Sequence, residues 1–218
     1  LAECGADVCI HCRETTDRAA DVASTMEGLG RKAPVVAADL ADTSATERLY
    51  DEAVAALGGI DILVLNASVQ VLRDWTDITP EQFDLQMHVN LRASLQLIQR
   101  AAPAMIERLW GRILAVGSVQ QVKPAEHMAV YAASKSAQEN LVRNLARELA
   151  PHNVTVNNLA PGAIDTDRNT EALSDPEYRK EVLSWIPARR IAAANEMAPA
   201  AVLLCSDAGS YIDRKSVV

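Results

Sequence analysis

The sequence predicts an α/β fold: a doubly wound, Rossmann-like parallel sheet in a single domain. Two observations carry the prediction. Short β-branched or apolar runs alternate with longer stretches of helical periodicity through most of the chain, the signature of repeated βαβ units. One of those runs, "IDILVL" at 60–65, is apolar at every position but Asp61, as suits a strand covered on both faces by helices.

The elements follow in order. "ADVCIHC" (6–12) reads as a strand, followed by a helix from about Thr16 to Leu29 that closes on Gly30. "APVVAA" (33–38) is the next strand. Ser44-Ala45-Thr46-Glu47 forms a capping box that starts a helix to Leu57. After the strand at 60–65, Thr79-Pro80-Glu81-Gln82 opens a helical stretch with Pro at its first position, where a missing N–H costs nothing. That stretch runs to about Leu109 with a break near Asn90. "GRILAVGS" (111–118) is a strand, 131–150 a helix and "VTVNNLA" (154–160) a strand. Ala137, Leu141, Leu145 and Leu149 form one apolar stripe on that helix, to pack on the sheet.

With 218 residues the chain can bury a sizeable core in one large domain. Its formal charge is −8, with Lys and Arg scattered among acids. Nucleic acid is excluded as a partner, because phosphate binding needs a clustered basic face. No apolar run approaches the ~18 residues of a membrane span, and no secretory leader is visible. Four cysteines without a framework spacing fit a reducing compartment, so a cytoplasmic protein is expected.

Cys9-Ile10-His11-Cys12 is a C-x-x-C with a histidine inside it. Side chains alternate faces along a strand, so residues three apart point to opposite sides and cannot share one metal without a bend. A zinc site asks for about four ligands, and no second C-x-x-C or H-x-x-x-H is present. No metal is expected; the two cysteines read as small core-filling residues.

Ligands of doubly wound sheets bind beyond the carboxyl ends of the strands. There the chain places Asn66 after "ILVL", Ser118 after "ILAVG" and "APG" (160–162) after "VNNL". "VYAASKSAQ" then sets Tyr131 and Lys135 four apart at the start of a helix, on one face. A lone Y-x-x-x-K is common by chance. Ser118 upstream and Asn90 in the preceding helix give this one company.

Taken together, Asn90, "GS" at 117–118, "YAASK" at 131–135 and "NNLAPGAIDT" at 157–166 resemble the short-chain dehydrogenase/reductase family, over about residues 1–212. The resemblance implies an oxidoreductase moving a hydride between a nicotinamide cofactor and a small ketone or alcohol. Tyr131 would be the general acid that protonates the carbonyl oxygen, or the base in reverse. A free tyrosine ionises near pH ~10, so work near neutrality needs a cation beside it. Lys135 would supply that field and hydrogen-bond the nicotinamide ribose. Ser118 would polarise the substrate oxygen, and Asn90 would seat a water in the proton relay.

For the cofactor, the resemblance sets Asp39-Leu40 against the adenine. Asn66-Ala67 match the second and third residues of the family's N-N-A-G, written "LNAS" here, with Leu65 and Ser68 departing from it. Pro161, Gly162, Ile164 and Thr166 would lie along the nicotinamide and phosphates. Where an NAD enzyme places an acid to accept from the ribose, this chain offers Cys12-Arg13, with Glu14 the nearest acid. Arginine suits a 2′-phosphate, so NADP is expected, with NAD as the alternative. Residues 163–190 would cover the substrate with a short helix near 175–185, and Trp75, Gln120, Gln121, His127 and Trp185 are candidate pocket walls. Family members associate through the two long helices, here about 80–109 and 131–150, which implies a homo-oligomer, dimer or tetramer. A non-catalytic cofactor-binding regulator, or an inactive fragment, stays open beside the enzyme reading.

The resemblance also implies a first strand and a glycine-rich phosphate loop ahead of Leu1, and a Thr-Gly turn with a last strand after 212. The fold is expected to lack both. Residues 213–218, "DRKSVV", do not follow the family's ending and are expected to be a non-native tail outside a domain of 1–212.

Overall fold

The structure, a computed structural model, describes residues 1–217; Val218, the end of the expected tail, lies outside the described residues. Each expected strand is present in shortened form. β1 (Ile10–Cys12) and β2 (Val35–Ala37) run parallel, Ile10 opposite Val35 and Cys12 opposite Ala37. Between them runs α1 (Asp17–Gly28), capped by Thr16, whose Oγ1 accepts from Ala19 N at 3.2 Å. α2 (Ala45–Leu57) follows, and its start differs from the capping box expected of Ser44 and Glu47. Ser44 already has helical backbone angles and its side chain caps nothing. Asp42 takes that place: its Oδ1 accepts from Ser44 N and from Ser44 Oγ, each at 2.9 Å. An aspartate two residues earlier turns the chain and sets a negative charge at the helix start, so the serine is drawn inside the turn.

β3 (Ile62–Leu65), β4 (Gly111–Val116) and β5 (Val154–Leu159) form the main parallel sheet, with Leu65 level with Ala115 and Val116 with Leu159. α3 (Pro80–Met87) and α4 (Ala93–Glu107) link β3 to β4, and α5 (Ala129–Leu149) links β4 to β5. Thr79 and Gln82 close a capping box on α3 with Pro80 in its first turn. The break expected near Asn90 is one turn of π-helix, His88–Arg92. A π turn takes up an extra residue without ending the helix, and such turns gather at functional sites.

The core lies between this sheet, α4 and α5. Ile98, Met105, Ile113, Val142, Val154 and Val156 are each at most 3% exposed, and burying one such side chain contributes roughly 1.5–3 kcal/mol. On α5 the buried row is Lys135, Gln138, Val142, Ala146 and Leu149. The expected stripe of Ala137, Leu141, Leu145 and Leu149 is thus displaced by one residue, and only Leu149 of it is buried. The true row begins with two polar residues, which a search for an apolar stripe passes over.

The sheet comes in two parts. β1–β2 is one, β3–β4–β5 belongs to the other, and among the described residues no strand pairs with both β1 and β3. Beside that open edge Val64 is 39% exposed, so β3 is not covered on both faces as its apolar run suggested. A second cluster joins the parts: Val36, Ala38, Leu40, Leu49 and Ala93, with Cys9 and Ala67 packed on it. Burial there pushes the Cys9 thiol pKa up, with the Glu52 carboxylate adding to it. His11 Nε2 donates to Ala38 O at 2.8 Å, tying β1 to the chain that leaves β2.

Beyond β5, β6 (Ile164–Asp165) pairs in parallel with β7 (Ala192–Ala193), and α6 (Asp167–Ser174) and α7 (Pro176–Trp185) lie between them. α7 is the short helix expected near 175–185; α6 was not read. α8 (Ala198–Leu204) follows. Residues 213–217, set apart from the domain in the sequence reading, join the sheet instead. β8 (Ser216–Val217) pairs with β5 at Asn158 and Leu159, and Asp213 Oδ1 accepts from Val156 N at 3.0 Å. The edge of β5 carries backbone groups in need of partners, and this segment meets them. Among the described residues no helix is long and apolar enough to cross a membrane.

Candidate active site

One cavity of about 2210 Å³ opens at the carboxyl ends of β3, β4 and β5. Its floor begins where β4 stops. A Cβ at Gly117 would sit 2.5 Å from Asn158 Oδ1 and 2.5 Å from Gln121 Oε1, so any side chain there would have to displace both amides. Gly117 N donates to Leu159 O at 2.7 Å, holding the turn against β5. Ser118 then caps the short turn Val119–Gln121, its Oγ accepting from Gln120 N at 3.2 Å. With a lone pair so used, the hydroxyl is held in place and its proton remains for a ligand.

Tyr131 and Lys135 enter the cavity from one face of the first turns of α5, and both are buried. Lys135 is 1% exposed. Its Nζ donates to Val116 O at 2.8 Å and to Gln138 Oε1 at 3.3 Å. Burial lowers its pKa from the ordinary 10.5 to about 8, and the Arg168 guanidinium adds to the effect. Ser118, Tyr131 and Lys135 therefore converge, as do Asn66, Pro161, Gly162, Ile164 and Thr166 along the adjoining wall.

Other expected site residues stand outside the cavity. Asn90 is fully buried, but its side chain is a tie: Oδ1 accepts from Val69 N at 2.8 Å, and Nδ2 donates to Val69 O at 2.9 Å and Ser134 Oγ at 3.0 Å. It fastens the chain after β3 to the π turn and to α5. Arg13 points to solvent and pairs with Glu14 at 3.2 Å. Asp39 turns its carboxylate back on Ala41 N at 2.9 Å, while Leu40 and Ala67 belong to the second apolar cluster. Among the expected walls Gln120, His127 and Trp185 line the cavity, whereas Trp75 is 79% exposed and Gln121 is buried behind Ser118.

The structure adds residues that sequence reading missed. Arg18, in the first turn of α1, lines the cavity and pairs with Asp167 of α6. Arg168 reaches across to the loop after β3, its Nη2 donating to Ser68 O at 2.7 Å. Its place just past "AIDT" was the one available signal. Asp74 bonds His127 Nδ1 at 2.8 Å, and Arg73 N donates to His127 O at 3.0 Å, joining two loops into one wall. His127 has φ 60°, left-handed backbone that costs a non-glycine residue free energy and marks a constrained position. On the far side the Lys123 ammonium lies 4.7 Å from the Trp185 ring centre and clasps α7 to the loop after β4. No group of three or more His, Cys, Asp or Glu among the described residues is placed to hold a metal.

A doubly wound parallel sheet that ends in a serine, a buried tyrosine and a cation one turn behind it describes a dehydrogenase or reductase. The comparisons then name the family. The family model described as enoyl-(acyl carrier protein) reductase matches residues 1–218. Glucose 1-dehydrogenase of Gluconobacter oxydans is 34% identical over 97% of this chain and 80% of its own length. Dehydrogenase/reductase SDR family member 4 of Sus scrofa is 36% identical over 100% of the chain and 78% of its own. Among solved structures, a 3-oxoacyl-(acyl-carrier-protein) reductase of Agrobacterium tumefaciens C58 with NADP bound superposes with a TM-score of 0.93 at 36% identity, covering 99% of this chain and 84% of that one. A gluconate 5-dehydrogenase of Burkholderia cenocepacia in complex with NADP and tartrate gives 0.91 at 30% identity, covering 99% and 84%. The chain belongs to the short-chain dehydrogenase/reductase family and is an oxidoreductase by that membership.

Proposed function

We propose that the protein interconverts a small-molecule carbonyl and the corresponding secondary alcohol with NADP(H), Tyr131 acting as general acid and base. The observation that carries this is the convergence of Ser118, Tyr131 and Lys135 on one cavity at the strand ends. NADP in two of the related structures supports the choice of cofactor.

The cavity suits a nicotinamide dinucleotide on its own chemistry. Nothing lies within 4 Å of where a Cβ would stand at Gly162, which leaves room for a ligand against the backbone. Asn66, Pro161, Gly162, Ile164, Thr166 and Lys135 would hold the nicotinamide half. Arg18 would take the phosphate-facing part that the sequence reading gave to Arg13. When bound, the cofactor supplies or takes up the hydride.

The chain's own residues handle the proton and the geometry. The Ser118 hydroxyl, its lone pair held by Gln120 N, donates to the substrate oxygen and fixes its place. The Tyr131 phenol delivers its proton to that oxygen as negative charge develops there. Lys135, one turn away, stabilises the phenolate left behind. The Lys123–Trp185 and Arg168–Ser68 contacts keep α6 and α7 over the pocket and limit water.

The test is Tyr131→Phe in the full chain, assayed with NADPH and a set of simple ketones. Turnover should fall by about 10²–10⁴, the range for loss of a positioned acid, with NADPH binding by fluorescence close to the parent. Retained turnover would reject the assignment of Tyr131.

A further inference from the structure

Behind Lys135 runs a hydrogen-bonded chain that the mechanism above does not use. Gln138, one turn further along α5, is 1% exposed, and Ser94 of α4 is 4% exposed. Lys135 Nζ donates to Gln138 Oε1 at 3.3 Å, Gln138 Nε2 donates to Ser94 Oγ at 2.9 Å, and Ser94 Oγ donates to Asn90 O at 3.2 Å. We infer that Gln138 is a positioning residue for the Lys135 ammonium, with its amide orientation dictated through Ser94 by the π turn at Asn90.

A serine hydroxyl has one proton. In this chain the Asn90 carbonyl takes it, so Ser94 Oγ has only lone pairs to offer Gln138. The glutamine must therefore turn its NH₂ to Ser94 and its oxygen to Lys135. The reverse rotamer would set two donors, the amide and the ammonium, against each other in a water-poor interior. The orientation is thus fixed at both ends, by the π-turn carbonyl that takes the Ser94 proton and by the ammonium that needs an acceptor.

The two acceptors on Lys135, Val116 O from β4 and Gln138 Oε1 from α5, then fix Nζ from two sides. The Coulombic effect on Lys135 from outside its own helix is that of Arg168 on α6. On α5 the titratable groups nearest in the chain are Tyr131, four residues before, and the buried Glu139, four residues after and paired with Arg143 at 2.8 Å, while β4 and the π turn contribute uncharged carbonyls, Val116 O and Asn90 O. Gln138 is therefore where a neutral group sets the ammonium's place without supplying charge. A glutamate there would supply one.

The inference rests on Lys135 as the cation serving Tyr131, and its test is separable from that reading. The ¹³Cε resonance of Lys135, assigned with Lys135→Met, is titrated in the full chain without substrate or cofactor. Gln138→Met removes an acceptor from the ammonium and should lower the Lys135 titration midpoint by about one unit, whereas Gln138→Glu should raise it. Ser94→Ala leaves Gln138 in place but removes the acceptor that holds its NH₂, so the amide is less firmly fixed and the midpoint should shift in the direction of Gln138→Met by less. In turnover, Gln138→Met should lower kcat roughly tenfold or more, the weight of one hydrogen bond to a charged group. Its KM should change less. A merely structural glutamine would give lower thermal stability with one unchanged midpoint in every variant, and that result overturns the inference. So would shifts of the same sign for Met and Glu. If Gln138→Met does not fold, Gln138→Glu and Ser94→Ala still decide it by the sign of their shifts. A parent without turnover would defeat the carbonyl-reductase reading and leave the titration to judge Gln138.

Discussion

Replacing Lys135 by methionine should make the protein's stability respond differently to alkali. Lys135 is 1% exposed and its pKa stands at about 8 against the ordinary 10.5. Between those values the unfolded chain keeps a proton that the folded chain has given up. Stability therefore rises with pH through that window, and below it the fold carries the full cost of a buried ammonium. At 1.36 kcal/mol per unit, the parent should gain on Lys135→Met by about 1.3 kcal/mol between pH 7 and pH 9 and by about 2.5 kcal/mol by pH 10. Other titrating groups are common to both proteins and cancel in the difference. At pH 7 itself, methionine removes the cost of the charge but strands Val116 O and Gln138 Oε1, which offsets part of the gain. The assay is urea unfolding of both proteins across the pH series. Parallel stability curves would refute the burial argument. A difference that shrinks with pH would show that Lys135 is stabilised as a cation in the fold, the opposite sign.

Arg168→Gln removes the second cause of the low Lys135 pKa, and the step in that comparison should move to higher pH; an unmoved step would assign the whole effect to burial. Gly117→Ala pushes a methyl to 2.5 Å from the amides of Asn158 and Gln121, so it should cost about 1–3 kcal/mol in urea unfolding. It should also cut turnover by displacing Ser118, and wild-type stability would contradict the turn geometry. Thr79→Ala should cost about 1 kcal/mol through its lost cap, with Asp42→Ala comparable and Ser44→Ala smaller. A Ser44→Ala loss equal to that of Asp42→Ala would restore the serine as the cap of α2.

The fold was legible because its signals are local. Alternation of short apolar runs with helical periods placed β1 to β5 and most helices, and Thr79–Gln82 announced its cap. What went unread depends on chain neighbours that a local pattern does not contain. The apolar run of β3 predicts cover on both faces, but Val64 is 39% exposed, because cover depends on which distant segments pack there. Ser44 and Glu47 have the right types at the right spacing, yet Asp42 upstream competes for the same turn and wins. "DRKSVV" holds no strand signal of its own, and β8 exists because β5 presents an edge to pair with.

The site divides along the same line. That Ser118, Tyr131 and Lys135 line one cavity follows from spacing, because strand ends and a helix turn fix their places. Arg13 was the reasonable phosphate partner by its position just after β1, but its exposed side chain pairs with Glu14, and Arg18 from α1 lines the cavity. Asn90 shows how far residue type alone can carry. The resemblance implied a water-seating role for it; the fold spends its side-chain amide on Val69 and Ser134 and turns its backbone carbonyl toward Ser94. A π turn makes this possible, since the wider ring changes which carbonyls the helix consumes. The displaced stripe on α5 belongs to the same logic. Ala137, Leu141 and Leu145 look like the sheet-facing row because they are apolar, but the buried row must bring Lys135 beneath β4 and supply it with acceptors. A helix that delivers a cation to a site has to bury polar residues beside it, and Gln138 is the one that periodicity alone would assign to solvent.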